Sequence, residues 1–444
     1  MLNLRNSLAI IACKTLIKIG KLMGKKGSSA PGSIAMKISP KILKTLSKQI
    51  KKEIILVCGT NGKTTTNNLI YSLLSNDGSD VVCNNVGANM LPGVACAFIS
   101  KATIGGKLSA NYAAIECDEA SVRHIVKHLT PHKIVITNLF RDQMDRYGEI
   151  EGTIKLLNEA IEKVPETTLV LNADDPFTRQ FGEGKKAIYY GVSEKVFSPK
   201  DKEIPLCLKC QTPLLYEYNH YNQLGKYACT NCGFERPNPH YSATRVDIKN
   251  SIKFVLSFGG FQYKMDVNYR GFYNIYNILA SFAVFESAGG SIEEAIKVFD
   301  AYKPQLGRME PFKINGKTAI LNLAKNPAGF NQAISTVKED NRTKNVLVAV
   351  NDMPSDGTDI SWLWDTQFES LRDDSVKAVY VSGVRKHDTA LRLKYAGIKN
   401  IKIIDINAET LKEFISESGE VCYLLVNYTV LFGTESLLKE MEDK

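Results

Sequence analysis

From residue 54 to the end of the chain, short apolar runs alternate with longer stretches that repeat apolar positions every three or four residues. The short runs are rich in β-branched residues and predict strands, whereas the longer ones predict helices. Strands that alternate with helices at this spacing are typical of parallel βαβ units, so we expect an α/β fold. The first predicted strands are Ile54–Cys58, Tyr112–Glu116, Lys133–Thr137 and Thr168–Asn172, with helices such as Thr64–Leu74 and Ile150–Lys163 between them.

A second series of the same kind begins after Arg308. Its size and its alternation of strand and helix predict a Rossmann-like, doubly wound α/β domain. Its predicted strands are Thr318–Leu323, Asn345–Val350, Ala378–Ser382, Lys402–Ile406 and Val421–Val426.

Residues 199–240 belong to neither series, because they combine proline, tyrosine and paired cysteines with little periodicity. We interpret them as an insertion in the first domain, which resumes at the predicted strand Ile252–Phe258. Proline and glycine near Lys303–Gly307 indicate a hinge. The predicted domains are a short basic N-terminal segment (1–50), a first α/β domain (51–306, with the insertion at about 203–240) and a second α/β domain (307–444).

The net charge of +9 is concentrated at the start of the chain. Such a segment favours an anionic membrane face or a polyanion; the other interpretation is a solvated helical hairpin packed on the enzyme. No run of eighteen apolar residues predicts a membrane span, and the short run 8–13 does not resemble a signal peptide. The basic residues of the first 53 positions are Arg5, Lys14, Lys18, Lys21, Lys25, Lys26, Lys37, Lys41, Lys44, Lys48, Lys51 and Lys52.

Four of the ten cysteines form two Cys-x-x-Cys pairs, Cys207 with Cys210 and Cys229 with Cys232, separated by eighteen residues. Two pairs at this distance predict a tetrahedral thiolate site for structural zinc, a zinc ribbon. A redox role would need a pair at the start of a βαβ unit, and the surroundings are not basic enough to predict nucleic-acid binding. The other cysteines are scattered through apolar runs, as free thiols are in a reducing compartment.

A phosphate-binding loop follows the first predicted strand directly. Glycine lets the backbone approach a phosphate, and the N-terminus of the following helix favours an anion. Lys63 can bridge the outer phosphates of ATP, and the Thr64 hydroxyl can bind Mg²⁺. The loop residues are Gly59, Thr60, Asn61, Gly62, Lys63, Thr64 and Thr65.

This short Gly-Thr-Asn-Gly-Lys-Thr form, with Val57 where a generic P-loop has its first glycine, resembles the loop of the Mur ligases and folylpolyglutamate synthetases. The resemblance implies an enzyme that makes an acyl phosphate from a carboxylate and ATP and lets an amine displace the phosphate. It also implies a Mur ligase central ATP-binding domain followed by a C-terminal Mur ligase domain.

Further landmarks of the Mur family follow in order. Glu116, which opens the strand-end run Glu-Cys-Asp-Glu, matches the glutamate that holds Mg²⁺ in the family. Gln143 stands where the larger ligases have a metal-binding histidine, and Lys155 lacks the spacing of their carbamylated lysine, so a second metal is left open. Asn274 and Asn277 match residues that meet adenine. Arg308 matches the arginine that reaches phosphate from the hinge.

The segments Leu321–Gln332 and Asn351–Trp362, together with the zinc ribbon, resemble the branch of the family that amidates lipid II with a glutaminase subunit, GatD. This resemblance implies ATP, Mg²⁺ and Zn²⁺ as cofactors and D-isoglutamine as the product made from D-glutamate in the stem peptide. It also implies a cytoplasmic enzyme at the inner face of the plasma membrane.

Asp352 is the candidate catalytic residue, because a carboxylate at a strand end can hold ammonium or accept its proton. Asp356 and Asp359 are the other candidates for this role. For both, a structural role in capping the turn at Gly357 is as well supported by the sequence as a catalytic one. Two other functions stay open from the sequence. One is a ligase that adds an amino acid, and the other is a non-catalytic ATP-binding scaffold for the glutaminase.

Overall fold

Two α/β sheets confirm the predicted fold class. The computed structural model of this chain describes residues 4–22, 29–84, 88–140, 150–197, 205–249, 251–302 and 307–443. A nine-stranded sheet belongs to the first α/β domain and a six-stranded sheet to the second, with a separate hairpin in the insertion.

The nine strands of the first sheet lie in the order β11-β10-β9-β6-β5-β4-β1-β3-β2, and neighbouring strands are parallel except in the pairs β9–β10 and β10–β11. They are β1 (Glu53–Cys58), β2 (Val81–Cys83), β3 (Tyr112–Glu116), β4 (Lys133–Ile136), β5 (Thr168–Asn172), β6 (Ala187–Val192), β9 (Tyr241–Asp247), β10 (Ile252–Phe258) and β11 (Phe261–Val267). The domain resumes at β9, one strand earlier than the sequence predicted, because β9 has a weak apolar signal: only two of its seven residues, Tyr241 and Ala243, are buried.

Helices cover both faces of this sheet, as a buried parallel sheet requires. One face packs against α4 (Lys63–Ser75), α9 (Tyr273–Glu286) and α10 (Ile292–Ala301). The other packs against α5 (Leu91–Lys101), α6 (Glu119–Ile125) and α7 (Ile150–Ile161). A short helix, α8 (Pro176–Arg179), and the 3-10 turn Gln180–Gly182 follow β5.

The N-terminal segment packs on the first domain. Its helices are α1 (Leu4–Leu22), α2 (Ser29–Ile38) and α3 (Ile42–Ser47). The approach of α2 to α5 is close: a Cβ added at Gly32 would lie 1.8 Å from the carbonyl oxygen of Pro92. In the described part of the chain, no helix is long and apolar enough to cross a membrane.

The second sheet has the order β12-β13-β17-β14-β15-β16 and is parallel except for β12 against β13. Its central strands β14 and β17 are buried along their whole length. The strands are β12 (Glu310–Ile314), β13 (Lys317–Leu323), β14 (Lys344–Ala349), β15 (Val376–Ser382), β16 (Ile401–Ile403) and β17 (Val421–Val426). The helices are α11 (Pro327–Glu339), α12 (Lys386–Tyr395), α13 (Ala408–Glu417) and α14 (Tyr428–Met441), with 3-10 turns at Ser361–Trp364 and Phe368–Leu371.

The insertion leaves the first sheet after β6 and returns at β9. It contains an antiparallel hairpin of β7 (Leu215–Tyr221) and β8 (Leu224–Ala228). Strands β6 and β9 are parallel neighbours, with Tyr190 paired to Tyr241. The insertion is therefore the crossover between two adjacent parallel strands.

Candidate functional site

The phosphate loop connects β1 to α4, and its two glycines adopt backbone conformations that other residues rarely adopt. Gly59 has φ +119° and Gly62 has φ +83°. A Cβ at Gly59 would lie 2.3 Å from the Thr137 Oγ1 atom, and one at Gly62 would lie 2.4 Å from the Asn277 Oδ1 atom. Both glycines are thus required by geometry and by space.

Residues that follow β4 hold the loop in place. The Thr60 N–H donates to the Asn138 carbonyl (2.8 Å), and the Asn61 N–H donates to the Asn138 side chain (2.9 Å). The Thr137 hydroxyl donates to the Asn61 carbonyl (2.7 Å), and the Phe140 N–H donates to the Thr60 hydroxyl (2.9 Å). These bonds fix the part of the loop that lies between Gly59 and Gly62.

The N-terminus of α4 suits an anion. Gly62 occupies the capping position and has no side chain to accept a bond from the first N–H groups, and the first turn contains no acidic residue. The first intrahelical bond runs from the Thr66 N–H to the Gly62 carbonyl (2.9 Å), so the N–H groups of residues 63–65 have no partner within the helix. The loop therefore fits the phosphates of a nucleotide.

The Lys63 ammonium is buried in this loop. It donates to the Gly59 carbonyl (2.5 Å) and the Thr60 carbonyl (3.2 Å) and forms an ion pair with Glu119 (3.0 Å). From the sequence, Glu119 is only the last residue of the strand-end run Glu-Cys-Asp-Glu that begins at Glu116. Burial raises the pKa of Glu119, and the positive charges of Lys63 and Lys325 oppose that rise. A phosphate bound at the loop would compete with Glu119 for Lys63.

Glu116 lies where a magnesium ligand is expected, at the carboxyl end of β3 next to β1. It is buried, and its backbone forms two bonds with Asn84, each 2.8 Å long. The Asn89 amide donates to the Glu116 Oε1 atom at 3.4 Å. The half-buried Thr64 opens the neighbouring helix. A strand-end carboxylate and a hydroxyl are hard oxygen donors, so this pair fits Mg²⁺.

Asn274 and Asn277 are both buried in α9, and their amides bond within the protein. The Asn277 Nδ2 donates to the Asn274 Oδ1 (2.9 Å), and the Asn277 Oδ1 accepts from the Thr66 hydroxyl (3.2 Å). The Asn274 Nδ2 donates to the Arg270 carbonyl (2.7 Å). Asn277 therefore supports the loop from beneath Gly62, which its motif alone did not indicate.

Arg308 lies at the hinge between two residues with positive φ, Gly307 (+68°) and Met309 (+52°). The Gly307 N–H donates to Glu310 (2.9 Å), and the Leu323 N–H donates to the Gly307 carbonyl (2.7 Å). The charge of Arg308 opposes the rise that burial causes in the pKa of Tyr273, so the guanidinium faces the start of α9.

The structure distinguishes the acids that follow β14. Asp352 is partly exposed and pairs with Arg385 through its Oδ2 atom, at 2.6 Å from Nη2 and 3.0 Å from Nε. Asp356 is buried, and its two oxygens accept from the N–H (2.9 Å) and the hydroxyl (2.6 Å) of Thr429. Asp359 binds the N–H and hydroxyl of Ser361. Asp356 thus binds the first turn of α14 and Asp359 the 3-10 turn at Ser361, rather than the turn at Gly357 that the sequence suggested, whereas Asp352 pairs with an arginine.

Polar contacts join the second domain to the phosphate loop. Asn61 and Asn326 exchange two amide bonds, of 3.4 and 3.3 Å, and Asn326 also caps α11 by accepting from the Gly329 N–H (2.8 Å). A second contact pairs Arg270 with Asp340 at 3.7 Å. The Lys-Asn-Pro run after β13 was the available sequence signal for Asn326, and its role was missed.

The four cysteines of the insertion converge on one point. Their sulfur atoms all lie within 4.8 Å of one another, and the sulfurs of Cys207 and Cys232, like those of Cys210 and Cys229, are 3.4 Å apart. Four thiolates around a tetrahedral zinc would be about 3.8 Å apart, given Zn–S bonds of about 2.3 Å. The cluster can therefore hold a metal ion, and its chemistry fits structural zinc.

The ribbon also contacts the loop support. The Gln223 amide donates to the Leu139 carbonyl (2.7 Å), and the Tyr227 hydroxyl donates to the Ala173 carbonyl (3.2 Å). Arg236 pairs with the buried Asp174 at 2.7 Å. The Asn-Ala-Asp-Asp-Pro run after β5, residues 172–176, is therefore where the ribbon is anchored.

Arg141–Gly148, which includes Gln143, lies outside the described residues. Lys155 is exposed on α7.

Comparison with known proteins identifies the family. A model of the Mur ligase middle domain matches residues 57–230, and a model of the MurT ligase C-terminal domain matches residues 323–431. The lipid II isoglutaminyl synthase (glutamine-hydrolyzing) subunit MurT of Staphylococcus aureus is 36% identical over 434 residues, 96% of each chain. The chain belongs to the MurT family of Mur ligases. The MurT subunit of Streptococcus pneumoniae is 35% identical over 445 residues, 98% of each chain.

Solved structures support the Mur ligase fold of this MurT-family chain. A pseudomurein peptide ligase type C from Methanothermus fervidus matches with a TM-score of 0.71 at 24% identity, over 89% of this chain and 80% of that one. A MurF ligase from Thermotoga maritima in complex with ADP matches with a TM-score of 0.65 at 15% identity, over 91% and 84%. The family is one of ATP-dependent ligases, and both MurT relatives are named as subunits, which implies a partner chain.

Proposed function

We propose that this chain is the synthetase subunit of a lipid II isoglutaminyl synthase, with the glutaminase GatD as its partner. It would use ATP to phosphorylate the α-carboxylate of D-glutamate in the lipid II stem peptide. Ammonia from GatD would then give D-isoglutamine. The observation that carries this proposal is the similarity to MurT subunits along 96–98% of the chain. Because lipid II is a membrane lipid, we place this work at the inner face of the plasma membrane.

The first step transfers a phosphoryl group, and the loop residues stabilise its charge. The carboxylate oxygen attacks the γ-phosphorus of ATP, the bond to ADP breaks, and an acyl phosphate forms. The N–H groups at the start of α4 and the Lys63 ammonium would face the phosphates, and Arg308 would approach them from the hinge. Thr64 and Glu116 would hold Mg²⁺, whose positive charge offsets charge on the phosphates.

The second step forms the amide. Ammonia attacks the carbonyl carbon, the bond from carbon to the phosphate oxygen breaks, and phosphate leaves. The nitrogen must lose a proton, and the Asp352 carboxylate would receive it and pass it to solvent. Arg385 fixes one oxygen of Asp352 and so positions the other.

Reconstitution of the complex tests the proposal. The chain, its glutaminase, lipid II, glutamine and Mg·ATP are combined, and the stem peptide is weighed by mass spectrometry. We expect the small mass decrease produced when an amino group replaces a hydroxyl, at the expense of one ATP per amide. Lys63→Ala and Glu116→Ala should abolish product, because each removes charge needed for phosphoryl transfer, while the exposed-site control Lys186→Ala should retain it.

The same experiment separates the other functions. A mass increase by an amino-acid residue would indicate a ligase that adds amino acids, which the MurT family assignment does not favour. Glutamine hydrolysis without ATP consumption would indicate a scaffold. Near-full amidation by either loop variant would contradict the assignment of the nucleotide site.

A further inference from the structure

The helix α1 is apolar on two opposite faces, and only one of them is covered by the enzyme. Ala9, Ile10 and Cys13 are fully buried against the first domain. The opposite face exposes a line of large apolar side chains, and its two end residues are 75% and 89% exposed. We call this line the α1 stripe; it consists of Leu4, Leu8, Ile11, Ile19 and Leu22.

The α1 stripe is one continuous face of the helix. At about 100° per residue, its five members fall within an arc of about 80°. Thr15 lies on the same line between Ile11 and Ile19 and is also exposed. A surface helix ordinarily has one apolar stripe, which it buries, so a second and solvent-facing stripe indicates a surface that meets something else.

The charge of the N-terminal segment indicates what kind of surface the α1 stripe contacts. Residues 1–52 contain twelve Lys and Arg and not one Asp or Glu, whereas the whole chain has 56 basic and 47 acidic residues. The rest of the chain therefore carries a small net negative charge, and the positive charge is confined to this segment. Lys14, Lys18 and Lys21 flank the α1 stripe on one side by the same helical spacing.

We propose that the α1 stripe lies in the surface of an anionic lipid bilayer, with its leucine and isoleucine side chains among the acyl chains and the flanking lysines at the headgroups. An apolar face bordered by lysine is the pattern of a helix that lies in the membrane interface. A nucleic acid would use the lysines but not the apolar stripe. A second copy of this segment would be repelled by its charge. The inference does not rest on the proposed amidation, since membrane binding needs neither ATP nor substrate.

Vesicle co-sedimentation of the full chain tests this inference. Vesicles of phosphatidylcholine alone are compared with vesicles that also contain phosphatidylglycerol, at low and high salt. We expect binding to the mixed vesicles, weakened by salt, and little binding to the neutral ones. The double variant Leu8→Asn with Ile11→Asn and the triple variant Lys14→Gln, Lys18→Gln and Lys21→Gln should each weaken binding by about tenfold or more.

Matched controls change the same chemistry elsewhere. The triple variant Lys394→Gln, Lys399→Gln and Lys412→Gln removes equal charge from exposed sites of the second domain. Phe261→Asn removes a side chain that is exposed on the β10–β11 hairpin. Both controls should bind vesicles as the unaltered chain does, and thermal denaturation should show that the α1 variants are folded.

Three results would overturn the inference. One is equal binding of the unaltered chain to neutral and mixed vesicles, or no binding to either. Another is full vesicle binding by the Leu8 and Ile11 double variant, which would leave only a polyanion patch. The third is loss of the complex with the glutaminase in that variant while vesicle binding persists, which would make the α1 stripe a protein interface. Amidation of a water-soluble stem-peptide analogue is unaffected by this inference, so its failure would count against the proposed function alone.

Discussion

At the scale of single residues, Asp352 differs from Asp356 in how the oxygens of its carboxylate are bonded. Its Oδ2 atom pairs with Arg385, while both oxygens of Asp356 are engaged by Thr429. We expect Asp352→Asn to bind ATP within about twofold of the unaltered chain but to lose roughly 10²- to 10⁴-fold in amidation, the usual effect of removing a general base. ATP binding is measured by calorimetry and product by mass spectrometry.

Asp359→Asn is the control for this prediction, because Asp359 is partly exposed and its oxygens accept from the nearby Ser361. It should amidate normally. Loss of ATP binding in Asp352→Asn would instead place Asp352 at the nucleotide, and normal amidation would remove it from the mechanism.

The buried His220 makes the stability of the fold depend on pH. Burial lowers its pKa to about 4, although the Asp174 carboxylate, 3.9 Å away, opposes this shift. A depressed pKa stabilises the fold above the unfolded value of about 6.5, and this contribution is lost as pH falls towards 4. At pH 5 the loss is on the order of 1–2 kcal/mol. Thermal denaturation of His220→Phe should therefore show a smaller decrease in Tm between pH 8 and pH 5.

His387→Phe is the matched control, because the imidazole of His387 is exposed on α12. Its decrease in Tm with acid should resemble that of the unaltered chain. An equal decrease in His220→Phe would show that another group causes the acid sensitivity.

At the scale of elements, the zinc ribbon couples metal binding to the phosphate loop. We expect one zinc per chain, and Cys207→Ser should lose it and lower Tm by on the order of 5 °C, since structural zinc contributes folding free energy. ATP affinity should also fall, because the ribbon supports the phosphate loop indirectly. Gln223 of the ribbon donates to the Leu139 carbonyl, and the next residue, Phe140, donates to the Thr60 hydroxyl of the loop. Elemental analysis and calorimetry measure these effects.

Cys83→Ser provides the comparison, because Cys83 is a partly exposed cysteine of β2 and is not one of the four cysteines of the insertion. It should keep one zinc per chain and the ATP affinity of the unaltered protein. Protein purified without chelators that contains no zinc would contradict the ribbon, and unchanged ATP affinity in zinc-free Cys207→Ser would separate the ribbon from the loop.

Local patterns predicted most elements, and distant contacts explain what they did not predict. Strands β3, β5 and β17 begin and end where their apolar runs do, because almost every residue in them is buried. The phosphate loop is likewise a local signal. By contrast, Asn277 supports Gly62 from more than two hundred residues away, and Asp356 is distinguished from Asp352 by its bonds to Thr429, which follows the neighbouring strand β17. No spacing within a motif contains such pairings.

At the scale of the whole molecule, the Asn61–Asn326 pair holds the second domain against the nucleotide loop. Asn326→Ser should keep the cap on α11, since serine is also a good N-cap, but serine is too short to reach Asn61. Loss of two long neutral hydrogen bonds corresponds to about 1–2 kcal/mol. We expect a larger radius of gyration in X-ray scattering and a decrease in amidation of about tenfold, with little change in Tm.

Arg270→Gln is the comparison variant, because it breaks the partly exposed contact with Asp340, and such pairs contribute about 0–1 kcal/mol. Its effect on scattering and rate should be smaller than that of Asn326→Ser. Unchanged scattering and unchanged amidation in Asn326→Ser would show that the amide pair does not control the arrangement of the domains.

The position of the ribbon limits how this fold could lose its metal. Strands β6 and β9 are parallel neighbours, and a tight turn cannot join such strands. The chain must first return from the carboxyl end of β6 to the end of the sheet where β9 begins. Here the insertion with the cysteine cluster forms the crossover connection, which is a helix elsewhere in the same sheet. A metal-independent version could not arise by simple deletion of the insertion. It would need a replacement crossover of about a dozen residues or more, with a polar partner of its own for the buried Asp174 carboxylate.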